Sequence, residues 1–285
     1  MIQQYYILQH VLLPSALIRP FQLIPQFRSI TLLSRQLSIK SSVDPGEINR
    51  FRQLSSSWWN ETGAYTALHS LNQLRIPFIR EQLVQSSSKI KDILKPLKDL
   101  QLLDIGCGGG ILTEPLARLG ASILGIDAVS ENIYTAEYHA DPSLKENLNY
   151  KHVTLEELCE NVEQIEKYDA VIASEVIEHI NDVDTFIANI SKLLKPKGLC
   201  FITTLNQTMA SYFLGIIAAE YILRMVPPGT HTWNKFVRPS DLITLFEKND
   251  FNVVLNNGMF YNPIINRWSW SESQAINYAL CAAKN

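Results

Sequence analysis

From residue 100 onward, short apolar runs alternate with longer amphipathic stretches. Apolar runs lie at 100–105, 122–126, 169–173 and 199–203, with a weaker one at 150–154. Between them, 111–119, 130–139 and 183–194 carry helical spacing. Continuous apolar runs suit strands covered on both faces, and strand, helix, strand in this rhythm predicts parallel βαβ units in a doubly wound sheet. Lys195-Pro196-Lys197-Gly198 reads as the stop of the helix before the fifth strand. Upstream, Pro45-Gly46 introduces a predicted helix over 47–59, with Ile48, Phe51, Leu54 and Trp58 at helical spacing, and a second apolar segment covers 68–83. Ser86-Ser87-Ser88 reads as a loop. Downstream, 209–226 is mostly apolar and ends at Pro227-Pro228-Gly229. A helix capped by Ser240 presents Leu242, Leu245 and Phe246 on one face. Strands at 251–255 and 278–282 then complete the sheet as an antiparallel pair. The expected fold is α/β, Rossmann-like and seven-stranded, with N-terminal helices and an apolar helical insertion after strand five.

Composition changes this picture mainly at the N-terminus. With 285 residues, 46% hydrophobic and 19% charged, the chain suits one α/β domain. A formal net charge of -3 gives no electrostatic reason to expect nucleic acid as a partner. Cys107, Cys159, Cys200 and Cys281 are scattered without CxxC spacing, so neither a zinc site nor a disulfide framework is suggested. The first acidic residue is Asp44, whereas Arg19, Arg28, Arg35 and Lys40 precede it among Leu, Ile, Gln and Ser. Acid-poor and Arg-bearing is the composition of a mitochondrial transit peptide, expected over 1–43 and followed by one domain over 44–285. A membrane anchor is the rival reading of 5–18, but Gln9, His10 and Pro14 interrupt it, and it falls short of the roughly 20 residues a span needs.

The strongest chemical signal is Asp104-Ile105-Gly106-Cys107-Gly108-Gly109-Gly110, directly behind the first apolar run. Glycines at a strand-to-helix turn let the backbone bend sharply and approach a ligand, and the helix behind offers free N–H groups. An acid is expected about 20 residues later, at the end of the next strand, to take ribose hydroxyls. Asp127 stands there. A dinucleotide fingerprint would read GxGxxG, but this turn reads GxGxG behind an aspartate. That form resembles the first motif of class I methyltransferases, whose cofactor is S-adenosylmethionine. An acid beside the turn also suits a cationic sulfonium better than a diphosphate.

A second cluster ends the fourth strand: Ser174, Glu175, Glu178 and His179. Carboxyl ends of strands line the ligand crevice in such folds. If a helical turn starts near Ser174, positions 175, 178 and 179 share one face. Two carboxylates and an imidazole there could hold Mg²⁺ or Mn²⁺, with Zn²⁺ as a competitor. The acids could instead serve only the helix dipole, or His179 could act alone as a general base. The residue types leave metal-bound and metal-free chemistry equally open.

These two motifs, the run Ala219-Glu220-Tyr221-Ile222-Leu223-Arg224-Met225-Val226-Pro227 followed by Gly229-Thr230-His231, and Trp58-Trp59 together resemble the ubiquinone-biosynthesis O-methyltransferases. The likeness covers about residue 49 to the C-terminus and, with the N-terminal segment, points to the mitochondrial branch. It implies polyprenylated catechol substrates: a polyprenyl dihydroxybenzoate and a demethylubiquinol. It implies cofactor contacts at Arg75, Gly106, Asp127 and Ser174, a metal (Mg²⁺) at Glu175, Glu178 and His179, and catalysis through His179. It further implies a peripheral place on the matrix side of the mitochondrial inner membrane and membership of a multi-enzyme coenzyme Q biosynthetic complex. The segment 209–231 is then expected to cover the substrate and touch lipid, since Glu220 and Arg224 argue against a full span; a buried core helix is the plainer alternative. A methyltransferase for another small phenol and a cofactor-binding scaffold without activity are the remaining alternatives.

Overall fold

The computed structural model describes residues 45–86, 92–208, 211 and 235–285. The transit segment expected over 1–43, and the insertion expected over 209–231 apart from Ser211, lie outside the described residues.

The strands are β1 Gln101–Ile105, β2 Ser122–Asp127, β3 Leu148–His152, β4 Tyr168–Ser174, β5 Leu194–Leu205, β6 Phe251–Asn262, β7 Arg267–Ser271 and β8 Asn277–Lys284. The helices are α1 Pro45–Leu54, α2 Thr66–Ser86, α3 Thr113–Arg118, α4 Ser130–His139, α5 Leu155–Cys159, α6 Val183–Leu193 and α7 Pro239–Lys248. Among the described residues the strands form one sheet of order β3-β2-β1-β4-β5-β8-β6-β7. β1 to β5 pair in parallel, whereas β8 pairs antiparallel with β5 and β6, and β7 antiparallel with β6. The sheet therefore has eight strands where seven were expected; the addition is the edge strand β7.

Alternation along each strand feeds two cores. Leu103, Val171, Cys200, Ile202 and Leu280 face one side, with Phe186 and Ile190 of α6 and Leu242 and Phe246 of α7. Leu102, Ile123, Ile172, Phe201 and Cys281 face the other, with Leu71, Phe78 and Ile79 of α2 and Leu116 of α3. Both faces being covered, the strands read as continuous apolar runs. Full burial of each such side chain contributes about 1.5–3 kcal/mol. The four cysteines are free thiols; Cys107, Cys200 and Cys281 are buried and Cys159 is half-buried.

Three boundaries correct the sequence reading. The first helix ends at Leu54, and a 3-10 turn Ser55–Ser57 carries the chain on to Trp58 outside it. Pro196 and Gly198 do not end a helix. They sit inside β5, where pairing with β4 shifts from Tyr168↔Leu194 to Ala170↔Leu199. Finally, α7 has Arg238 at its N-cap with Pro next and no side-chain cap, so Ser240 lies inside the helix rather than capping it.

Candidate active site

β1 ends against the glycine turn, where Gly106, Gly108 and Gly110 take φ of 66°, 55° and 81°. At Gly106 a Cβ would also stand 2.7 Å from Val176 Cγ2, so any other residue is both strained and crowded. Asp127, at the end of β2, is buried. Its Oδ2 accepts the Gly108 N–H at 3.0 Å; its Oδ1 accepts the Val129 N–H at 2.8 Å and the Asn132 side-chain amide at 3.2 Å. Burial raises the Asp127 carboxyl above its ordinary range, and these three donors pull it back. The acid expected to meet a ribose thus also ties the glycine turn to α4.

The second arm comes from α2. Arg75 is 4% exposed and reaches over β4. Its Nη1 donates to Ser174 Oγ at 2.8 Å and its Nε to Asn72 Oδ1 at 2.7 Å. Ser174 Oγ and Thr203 Oγ1 are 2.6 Å apart, and Thr203 Oγ1 donates to Glu175 Oε1 at 2.8 Å. Burial pulls the guanidinium down to about 10, against the charges of Asp104 and Glu175 that favour it, so it remains cationic at neutral pH. Asp104 is pushed by burial up to about 6, opposed by the Thr113 hydroxyl and by Arg75. Thr113 Oγ1 donates to Asp104 Oδ2 at 2.6 Å. The structure therefore brings Arg75, Ser174, Gly106 and Asp104 around one cleft.

The residues after β4 do not form the helical turn that would give Glu175, Glu178 and His179 one face. Glu175 takes φ 58° and its N–H donates to Thr203 O at 2.8 Å. Only Ile177–His179 is a 3-10 turn. Glu175 accepts from Thr203, whereas Glu178 Oε2 accepts from Thr204 Oγ1 at 2.8 Å. Thr203 and Thr204 are successive in β5 and so point to opposite faces of the sheet. The two carboxylates are thus each taken up by a different threonine. Among the described residues, no three His, Cys, Asp or Glu side chains form a group that could hold a metal ion. The His179 ring meets Phe51 of α1 edge-on, with centroids 5.0 Å apart.

Several residues at this cleft were not read from the sequence as part of it. Thr113 fixes Asp104, Asn132 fixes Asp127, and Trp58 and Tyr65 stack over the glycine turn with ring centroids 3.8 Å apart. Aromatic residues at helical spacing read as core; Trp58 is buried with Tyr65 and Ile111, but it lies beyond the end of α1 and against the glycine turn.

Comparison with known proteins matches residues 78–256 to a family described as a methyltransferase domain. The human "Ubiquinone biosynthesis O-methyltransferase, mitochondrial" is 48% identical over 248 residues, covering 86% of this chain and 66% of the relative. The chain thus spans slightly under two thirds of that relative. The Pelagibacter ubique "Ubiquinone biosynthesis O-methyltransferase" is 42% identical over 245 residues, which is 86% of this chain and 100% of the relative. Among solved structures, the magnesium protoporphyrin IX methyltransferase of Synechocystis with bound S-adenosylmethionine superposes with a TM-score of 0.54 at 16% identity, covering 84% of this chain and 97% of that one, and it speaks for the fold alone. The chain belongs to the ubiquinone biosynthesis O-methyltransferases, built on the class I S-adenosylmethionine-dependent methyltransferase fold.

Proposed function

We propose that the protein transfers a methyl group from S-adenosylmethionine to a catechol hydroxyl of a polyprenyl dihydroxybenzoate and of demethylubiquinol. The carrying observation is the 42% identity to a bacterial relative of that name over its whole length. The cleft supports it chemically. The guanidinium of Arg75 suits the cofactor's carboxylate, and Asp104 and Asp127 suit a cationic, hydroxyl-bearing ligand. The glycine turn offers backbone where any Cβ would intrude. When bound, the cofactor supplies an electrophilic methyl. The chain's task is to hold the phenol oxygen in line with it and to take the phenolic proton, for which His179 is the candidate general base. Glu175 and Glu178 are the oxygen donors a hard cation such as Mg²⁺ takes, but they share no helical face, each already accepts from a different threonine of β5, and so they do not fit a shared ion as arranged. The magnesium reading therefore rests on the family resemblance. This arrangement is also what favours the second reading, a metal-free methyltransferase acting through His179 on another small phenol.

Mitochondrial placement follows the names of the mammalian relatives. A peripheral position on the matrix side of the inner membrane, and a place in a biosynthetic complex, belong to the same proposal. No described helix is long and apolar enough to cross a membrane. The β6–β7 turn supports lipid contact: it projects beyond the carboxyl ends of the parallel strands, and its Ile264 and Ile265 are 92% and 62% exposed.

Two expected results test this reading. Incubation with labelled S-adenosylmethionine and a polyprenyl catechol gives a product one methyl heavier, and His179→Ala lowers kcat about 100- to 10,000-fold. Full activity with excess chelator would remove magnesium from the proposal; methylation of simple phenols but not of the prenylated catechol would favour the second reading. The second result concerns pH. The folded Asp104 carboxyl titrates at about 6, above its unfolded value of about 3.9. Between these values the folded chain holds a proton that the unfolded chain has lost, so this group's contribution to stability falls as pH rises through that window. Binding of a cation favours the carboxylate, so cofactor affinity is full above about pH 6 and weakens toward tenfold per pH unit below it. Calorimetric titration across this range should show the step in the wild type and not in Asp104→Asn.

A further inference from the structure

The 3-10 turn after α1 lays two tryptophans on the glycine turn. A Cβ on Gly108 would fall 2.3 Å from Trp58 Cζ2, and one on Gly109 2.4 Å from Trp58 Cβ. The indole therefore occupies the face that those glycines leave open. It is held there specifically. Its ring stacks on Tyr65 at 3.8 Å with an interplanar angle of 3°. Its Nε1 donates to Asn132 Oδ1 at 2.8 Å, and Asn132 in turn donates to Asp127. Next to it, Trp59 Nε1 donates to Gly109 O at 2.8 Å. The space left between Trp58, Arg75, Asp104, Gly106 and Ser174 is only about 20 Å³, far below the roughly 300–1,000 Å³ of ligand pockets.

A second observation points to a ligand at the same place. The Tyr65 hydroxyl is buried and has no hydrogen-bond partner among the described residues. Buried polar groups are ordinarily matched, and an orphan at a cleft marks a position that an incoming polar atom completes. The strap carrying Trp58 is also held elsewhere: His69 Nε2 lies 2.7 Å from Trp58 O, Trp59 stacks on His139 with ring centroids 5.1 Å apart, and Leu54 packs beside Trp58 and Ile111. Arg52 pairs with Glu131 of α4 at 2.8 Å, but both side chains are largely exposed. Thr135 Oγ1 donates to Ser55 O at 3.2 Å, and Phe51 touches His179.

We propose that the indole of Trp58 is a resident plug in the cofactor cleft, and that S-adenosylmethionine enters by displacing it. Withdrawal leaves Tyr65 and Asn132 as contacts for the ligand. Because Phe51 lies on the same strap, withdrawal also uncovers His179, so cofactor entry and access to the proposed base are coupled. A competitor that must leave reduces apparent affinity by the fraction of time it is out.

The proposal rests on the cleft being the S-adenosylmethionine site, and its test separates the two. Dissociation constants for S-adenosylmethionine and S-adenosylhomocysteine are measured by calorimetry on the wild type, Trp58→Ala and Trp58→Phe. Trp58→Ala is expected to bind about tenfold more tightly, the loss of one ring stack and one hydrogen bond from the plug. Trp58→Phe keeps a ring but no N–H donor and falls between. In stopped flow, the wild-type association rate levels off with cofactor concentration at the rate of withdrawal, and rises linearly in Trp58→Ala. Equal or weaker binding by the variants, or a linear rise in the wild type, overturns the plug. Should Trp58→Ala not fold, Trp58→Phe and the wild-type kinetics decide alone. No binding by any of these proteins overturns the cofactor reading itself.

Discussion

Arg75→Ala is expected to lose about 3–5 kcal/mol of stability together with cofactor binding, because the guanidinium is the cation of a buried, otherwise acidic cluster. Arg75 is 4% exposed, and Asp104 and Glu175 are the charges that oppose its loss of a proton. Removing it leaves those carboxylates without their compensating cation and strips Ser174 Oγ and Asn72 Oδ1 of their donor. Arg75→Lys is the informative companion. It keeps the charge but cannot donate to Asn72 and Ser174 from a rigid fork, so it should recover most of the stability and little of the affinity. Urea unfolding and calorimetry read the two effects separately. Equal stability of Arg75→Ala and wild type would show that the acids are neutral without it.

The second large effect is expected at Asp127. Its carboxylate receives only donors: the N–H groups of Gly108 and Val129 and the amide of Asn132. Asp127→Asn changes almost no volume, yet it turns one acceptor oxygen into an NH₂ that must face a donor. Each hydrogen bond to a charged group contributes about 1.5–3 kcal/mol, and an opposed donor adds the penalty of an unmatched buried group. A loss of about 3 kcal/mol and of at least a hundredfold in S-adenosylmethionine affinity is expected, because the glycine turn comes free of α4. Asp127→Ala, which leaves the donors unmatched but not opposed, should be no worse than Asp127→Asn. A much milder Asp127→Asn would mean that Asn132 can flip to rescue it.

The parallel half of the sheet was legible because both of its faces are buried and its ends are punctuated. β1 and β2 end at Ile105 and Asp127, next to glycines or an acid that sequence alone marks. β7 escaped because an edge strand of five residues, Arg-Trp-Ser-Trp-Ser, carries its signal on two tryptophans. They declare themselves only in packing: Trp268 Nε1 donates to Ala67 O, and Trp270 meets Phe78 edge-on. β5 was shortened for a related reason. Pro196 and Gly198 break a helix, but a strand tolerates them where its register slips.

At the site, the turn from Gly106 to Gly110 and Asp127 could be read from spacing, whereas Arg75 came from resemblance alone, as nothing in Asn72-Gln73-Leu74-Arg75 distinguishes it from a solvated helix charge. The departure of Glu175 from a helical turn was not legible. Spacing of three places two side chains together only on a helix, and Glu175 at φ 58° is not helical. Trp58 was hidden for the opposite reason, since its spacing extends a helix that has already ended.

The four free thiols carry a consequence for oxidative chemistry. Burial pushes Cys107 and Cys200 well above the ordinary thiol range, Cys159 to about 11 and Cys281 to about 12. Peroxide and alkylating reagents react with the thiolate, not the thiol. At neutral pH each of these sulfurs is almost wholly protonated, and Cys107, Cys200 and Cys281 are also shielded from reagent by the fold. The cofactor turn therefore contains a sulfur that cannot readily be oxidised while the chain is folded, and brief oxidant exposure should leave methyl transfer intact where a thiol-dependent enzyme would fail.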